Sequence, residues 1–134
     1  MHTQLTPGNG NEIDHYGTNG WTVVSVTGDV DLCSSPVIRD AVIRLVDEGH
    51  RHFVLDLCQV PFLDSMGLGM IVAITKRIRA HAGSLLLTCA DHRVRNVFKA
   101  GGLHSVYAFH DSVVEATRHA PHGSGLAGWP CSRA

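Results

Sequence analysis

One stretch of the sequence decides the fold: Phe62-Leu63-Asp64-Ser65-Met66-Gly67-Leu68-Gly69. It follows the apolar run Phe53-Val54-Leu55-Asp56-Leu57 and leads into a long pattern of helical periodicity, so Ser65 is predicted to lie where a strand gives way to a helix. The first N–H groups of a helix have no intrahelical acceptor and carry a partial positive charge. The stretch therefore predicts a hydroxyl group at a position that favours an anion such as phosphate.

Strand and helix patterns alternate on both sides of this stretch. Two alternating segments around Asn19-Gly20 predict a β-hairpin, and apolar runs predict later strands near residues 53–57, 84–89 and 106–109. Helices are predicted to begin with Ser35 as the cap and Pro36 as the first helical residue, and then after residues 64–65, 91 and 111–112. The last helix is predicted to reach about His119.

This element order, β-β-α-β-α-β-α-β-α, predicts a single α/β domain. Right-handed crossovers give one mixed sheet of about five strands, with the helices packed mainly on one face. Residues 1–10 are predicted to be a flexible lead-in, residues 11–120 the domain, and residues 121–134 a disordered tail.

The composition argues against several classes of protein. A net charge of -1 gives no reason to expect direct nucleic-acid binding, and no apolar run approaches the roughly 20 residues of a membrane span. We therefore expect a cytoplasmic protein. The four cysteines are far apart and are predicted to be small buried hydrophobes and one tail thiol, with no disulfide framework or zinc knuckle: Cys33, Cys58, Cys89 and Cys131. The scattered histidines predict no metal site.

Two glycines in the first turns of the helix after Ser65 need an explanation, because glycine in a helix costs roughly 0.5–1 kcal/mol relative to alanine. Gly67 and Gly69 could keep the helix start bare for a partner that approaches Ser65. Alternatively, they could allow close packing on the sheet, with Ser65 or Asp64 acting only as a cap. The residues alone leave both interpretations open.

Catalytic alternatives fit the sequence poorly, so we expect no enzyme activity. The turn lacks the glycine two residues before the serine of a nucleophile elbow. Gly67 and Gly69 have no third glycine at a nucleotide-binding offset, and no Gly-Lys-Ser/Thr follows them. A Mg²⁺ site would draw on the aspartates at strand ends and loops, which are common there without any metal: Asp29, Asp31, Asp56 and Asp64.

Four segments together resemble the STAS domain of bacterial anti-sigma factor antagonists over residues 21–119. They are residues 28–31, 54–57, 62–69 and 101–103, and the Asp-Ser-x-Gly turn at Asp64 is the most specific of them. The resemblance implies a STAS-type fold and a cytoplasmic, non-enzymatic phosphoprotein of transcription regulation in stress response, sporulation or differentiation. It also implies a chain without a cofactor of its own, because ATP would be bound by the partner kinase.

The resemblance further implies partner switching. The unphosphorylated domain would bind an anti-sigma factor that is itself a serine kinase and so free a sigma factor. Phosphorylation of Ser65 would end the binding, and a phosphatase would restore it. The implied partner-binding residues, on a monomer or weak dimer, are Asp29, Asp31, Ser34, Ser35, Asp64, Met66, Gly67, Gly69, Met70 and Ala73.

Met66 departs from the family pattern, in which a second serine or threonine is usual at this position. Ser65 is therefore the one hydroxyl of the turn. The alternative function is a STAS interaction module that does not switch, in a transporter-associated or other complex, with Ser65 only a cap.

Overall fold

The computed structural model of the chain describes residues 3–4, 12–88 and 90–121. In this part of the chain, one six-stranded mixed sheet has the strand order β1-β2-β3-β4-β5-β6. The first three strands pair antiparallel, and β3 to β6 pair parallel. The strands are β1 (Thr3–Gln4), β2 (Glu12–Thr18), β3 (Trp21–Thr27), β4 (His52–Gln59), β5 (Ser84–Thr88) and β6 (Phe109–His110).

The predicted order of elements is confirmed from β2 onward, and the short β1 lies inside the segment predicted to be a lead-in. The hairpin closes where the sequence predicts, because Thr18 pairs with Trp21. Asn19 and Gly20 take the positive φ angles of 51° and 85° that a tight hairpin turn requires. The remaining residues of the lead-in, and the tail from residue 122 onward, lie outside the described residues.

Helices α1 (Ser35–Asp47), α2 (Ser65–Ala80) and α3 (His92–Ala100) cover one face of the sheet. The short helix α4 (Val113–Ala116) lies on the other face. Strand β4 contributes to both sides, since Phe53 and Leu55 join the main core whereas Val54 faces α4. The prediction of helices mainly on one face is therefore confirmed.

The last helix is shorter than predicted, ending at Ala116 instead of about His119. The segment that follows the helix contacts the hairpin. The Asn19 side chain donates to the carbonyl oxygen of Thr117 at 2.8 Å, and the Trp21 indole donates to that of His119 at 2.8 Å. These hydrogen bonds attach the segment after α4 to the β2–β3 hairpin. The last strand also begins later than predicted, at Phe109.

The prediction that the cysteines are buried is wrong for two of them. Cys33 is an exposed free thiol. Cys58 is also exposed and takes part in a disulfide bond. Cys58 lies near the end of β4, where the strand leaves the core. Its apolar neighbours in the sequence therefore gave no indication that its side chain is exposed. Cys89 and Cys131 lie outside the described residues.

No helix in the described part of the chain is both long enough and apolar enough to cross a membrane.

A buried hydrogen bond joins α2 to the segment before β6. The Thr75 hydroxyl donates to the carbonyl oxygen of Ile71 at 2.6 Å, so the Tyr107 hydroxyl, 2.7 Å away, donates to Thr75. Burial raises the pKa of Tyr107 from 10.0 to about 12. The folded protein therefore binds the proton of the Tyr107 hydroxyl more tightly than the unfolded chain does. The resulting contribution to the free energy of unfolding is fully present below about pH 10 and is lost as the pH rises toward about 12.

We expect Tyr107→Phe to lower the free energy of unfolding at pH 7 by about 1 kcal/mol, because one buried hydrogen bond is lost. The wild type should also lose stability as the pH rises from 10.0 toward about 12, and the variant should lose less. Urea denaturation at pH 7 and pH 11 measures both effects. An equal loss in the two proteins at pH 11 would contradict the expectation.

Candidate functional site

Two loops are joined beyond the ends of their strands. Val30, after β3, and Leu63, after β4, form a parallel bridge. The Val30 N–H donates to the carbonyl oxygen of Phe62 at 2.9 Å, and the Asp64 N–H donates to that of Val30 at 3.2 Å. Because each loop leads directly into a helix, the bridge places the beginnings of α1 and α2 side by side.

The first loop is held by its own polar side chains. The Asp31 carboxylate accepts from the backbone N–H groups of Cys33 and Ser34 at 3.0 and 3.1 Å. The Ser34 hydroxyl donates to the carbonyl oxygen of Asp29 at 2.8 Å and accepts from the Asp31 N–H at 3.0 Å. These contacts give Asp31 and Ser34 a structural role in shaping the loop.

The predicted cap of α1 is wrong by one residue. Ser34 occupies the cap position without a side-chain capping bond, because its hydroxyl is used inside the loop. Ser35 is the first helical residue, and Pro36 the second. The Ser35 side chain is buried, and its hydroxyl has no hydrogen-bond partner in the described structure.

At the beginning of α2, the structure shows which of Asp64 and Ser65 caps the helix, a choice that the sequence left open. Asp64 is the cap, since its carboxylate accepts from the Gly67 N–H at 2.9 Å. Ser65 is the first helical residue and is exposed, and its hydroxyl makes no hydrogen bond within the described residues. Capping of α2 therefore does not explain a serine at position 65.

The two glycines also differ. A Cβ atom on Gly67 would lie 2.7 Å from the carbonyl oxygen of Val30 and 2.8 Å from its side chain, so Gly67 is needed for packing. A Cβ atom on Gly69 would meet nothing within 4 Å. The close-packing interpretation holds for Gly67 alone, and Gly69 leaves open space on the exposed side of α2.

Ser65 lines a groove of about 240 Å³ between α1 and α2. The lining is mostly apolar and consists of Leu32, Ser35, Pro36, Arg39, Ser65, Met66, Gly69, Met70 and Ala73. The surroundings are unusually apolar for a surface. Leu32, Met66 and Phe62 are 62%, 52% and 50% exposed, and they are three of the four large hydrophobic side chains that are exposed in the described chain.

Five of the ten predicted partner-binding residues line this groove: Ser35, Met66, Gly69, Met70 and Ala73. The others lie behind or beside it. Asp31 and Ser34 shape the first loop, Asp64 and Gly67 anchor α2, and Asp29 is exposed at the loop start.

Three residues that line the groove were missed by the sequence analysis: Leu32, Pro36 and Arg39. One signal was available, because Arg39 lies four residues after Ser35 and therefore on the same helix face. The exposure of Leu32 and Phe62 had no such signal, since apolar residues are expected to be buried.

The aspartates do not form a metal site. The Asp56 carboxylate accepts from the Cys58 N–H at 3.0 Å and from the Thr88 hydroxyl at 3.3 Å, while Asp31 and Asp64 accept backbone N–H groups. Within the described ranges, no group of three or more His, Cys, Asp or Glu side chains could hold a metal ion.

The sequence profile of the STAS domain matches residues 12–116. This chain belongs to the STAS family. Its relatives include the anti-sigma-B factor antagonist of Bacillus subtilis (strain 168), which is 31% identical over 83 residues, or 62% of this chain and 75% of that protein.

The STAS fold is also found in the solved structures of SpoIIAA from Bacillus. The unphosphorylated form, described as an anti-sigma factor antagonist, has a TM-score of 0.68 at 23% identity and covers 78% of this chain and 91% of that one. The phosphorylated form has a TM-score of 0.65 at 20% identity, with 79% and 96% covered. At these identities the likeness concerns the fold alone.

The two glycines of this STAS domain provide a matched pair of variants. We expect Gly67→Ala to lower the free energy of unfolding by about 1–3 kcal/mol, because the new methyl group meets the Val30 backbone. Gly69→Ala should raise it by about 0.5–1 kcal/mol, because alanine favours the helix and the space is open. Chemical denaturation measures both, and equal effects would contradict the assignment.

Asp64 and Ser65 provide a second pair. Asp64→Ala should cost about 1 kcal/mol of stability through loss of the cap, whereas Ser65→Ala should change it by less than about 0.5 kcal/mol. Thermal and urea unfolding of the two variants test this. A larger loss in Ser65→Ala than in Asp64→Ala would return Ser65 to a structural role.

Proposed function

We propose that this STAS domain is an anti-sigma factor antagonist of the partner-switching type. Unphosphorylated, it binds an anti-sigma factor that is also a serine kinase and so frees a sigma factor. Phosphorylation of Ser65 ends the binding, and a phosphatase restores it. The kinase supplies the ATP site, and the exchange takes place in the cytoplasm.

One observation carries the proposal: Ser65 is an exposed hydroxyl at the beginning of a helix that Asp64 already caps. A partner can therefore reach and modify Ser65 without disturbing the fold. Apart from the capping carboxylate of Asp64, the first turn of α2 contains no acidic residue, and its helix dipole favours an anion there.

The apolar surface around Ser65 supports a protein partner. Leu32 and Met66 line the groove, Phe62 lies three residues before Ser65, and all three are at least half exposed. Exposed hydrophobic patches mark interaction sites. The naming of the 31% identical relative as an anti-sigma-B factor antagonist supports an anti-sigma factor as that partner.

Phosphorylation would act by changing the contact surface, with no rearrangement of the fold. A phosphoserine adds about -1.5 to -2 charge among apolar side chains that the partner must cover. Arg39 lines the same groove, but its side chain is 48% exposed and contacts Asp40. Burying the added charge without a closely paired cation costs several kcal/mol. A hundredfold loss of affinity requires only about 2.8 kcal/mol, so the modification is sufficient for a switch.

Met66 makes the acceptor unambiguous, since Ser65 is the one hydroxyl of the turn. The Met66 side chain is 52% exposed and lines the groove. It therefore adds apolar contact area where other family members have a second hydroxyl group.

The proposal predicts a single phosphate on Ser65. We expect intact-mass spectrometry to show one phosphate on the wild type after incubation with the candidate anti-sigma kinase and ATP, and none on Ser65→Ala. Ser105→Ala, which changes an exposed serine outside the groove, is the matched control and should accept one phosphate. In the binding assay, Ser65→Asp should bind the kinase at least about tenfold more weakly than Ser65→Asn.

A phosphate on Ser65→Ala would disprove the acceptor assignment. Equal binding by Ser65→Asp and wild type would instead indicate a module that does not switch, as in a transporter-associated complex.

A further inference from the structure

The groove beside Ser65 continues along the two helices. A second groove of about 450 Å³ follows it, lined by Arg39, Asp40, Ile43, Ala73, Lys76, Arg77 and Ala80. Arg39 and Ala73 line both, so the two form one channel between α1 and α2. We call this channel the seam groove. From Met66 to Lys76 it follows ten residues of helix, or about 15 Å.

The two ends of the seam groove differ in chemistry. The end at Ser65 is mostly apolar, and Arg39 is the one charged residue in its lining. Beyond Arg39, the other end adds two more cations, Lys76 and Arg77, and the Asp40 carboxylate. Arg39 contacts that carboxylate, on Asp40, at 3.4 Å, but their side chains are 48% and 67% exposed, so this pair neutralises little. Lys76 and Arg77 are exposed and have no ion-pair partner within the described residues.

The requirements of the fold explain only part of this charge. Arg77 lies in the last turn of α2, where a cation favours the helix dipole. Arg39 is the fifth residue of α1, past the first turn, so the helix dipole gives it no stabilisation. The local excess is two positive charges, in a chain whose net charge is -1.

We propose that the seam groove selects the partner by charge: it binds a segment of the anti-sigma factor that is apolar at the Ser65 end and carboxylate-rich at the Lys76 end. This inference rests on the proposed function. A helix of about ten residues spans the distance, with its carboxylates facing Arg39, Lys76 and Arg77. Such charge complementarity raises the association rate and excludes partners of the wrong sign.

The lysine content of the chain provides a direct test. The whole sequence contains two lysines, Lys76 in the seam groove and Lys99 at the end of α3. A zero-length carbodiimide joins a lysine amine to a carboxylate that already touches it. After treatment of the complex with the anti-sigma factor that binds this chain, peptide mass spectrometry should find crosslinks from Lys76 to partner Asp or Glu residues. Lys99 should give none.

Neutralisation of charge tests the energetic effect. Lys76→Gln/Arg77→Gln should raise the Kd about tenfold and flatten its dependence on salt concentration. Arg44→Gln/Lys99→Gln removes the same charge from exposed positions outside the groove and should leave both unchanged. Lys76→Arg should keep the affinity and lose the crosslink.

The outcomes separate this inference from the proposed function. Two results would contradict the inference of a carboxylate-rich partner segment, even if Ser65 switches binding. One is crosslinks from both lysines or from neither, and the other is an unchanged Kd in Lys76→Gln/Arg77→Gln. Binding that Ser65→Asp does not weaken would overturn the switch, while crosslinks confined to Lys76 and a raised Kd in the neutralised variant would still support the acidic segment.

Discussion

The parallel bridge between Val30 and Leu63 is the constraint on which the rest of the site depends. It extends the pairing of β3 and β4 past the ends of the strands and fixes two loops that are more than 30 residues apart in sequence. Gly67 then packs against the Val30 carbonyl at a distance that excludes any Cβ atom. The beginnings of α1 and α2 are thereby held together, and the seam groove exists because of that contact.

Structure and recognition are divided between neighbouring residues. Asp64 caps α2 and Gly67 packs it against the Val30 loop, while Ser65 and Met66, which lie between them, are exposed. Because the fold makes no use of the Ser65 hydroxyl, the surface can change its charge while the helix keeps its stability. The rigid scaffold would therefore present the residue to be modified, and the proposed switch would require only a change in contact energy.

The two ends of the seam groove would act on a partner through different physics. At the apolar end, affinity depends on desolvation, so a phosphate on Ser65 is costly where it must be covered. At the basic end, the charges are exposed, and their effect falls with salt over a Debye length of about 8–10 Å. Since about 15 Å of helix separates Met66 from Lys76, phosphorylation would reduce contact affinity while leaving the long-range attraction of an acidic partner largely in place.

The sequence by itself determined the order of elements, the hairpin at Asn19-Gly20 and the position of Ser65 at a helix start, because periodicity, turn residues and caps act within a few residues. The tertiary structure decided which polar side chains are already used. Ser34 rather than Ser35 precedes α1, Asp64 rather than Ser65 caps α2, and Asn19 and Trp21 bind carbonyls of the segment after α4. It also decided that Leu32 and Arg39 line the groove beside Ser65. Contacts between segments distant along the chain settle these matters, and no local pattern encodes them.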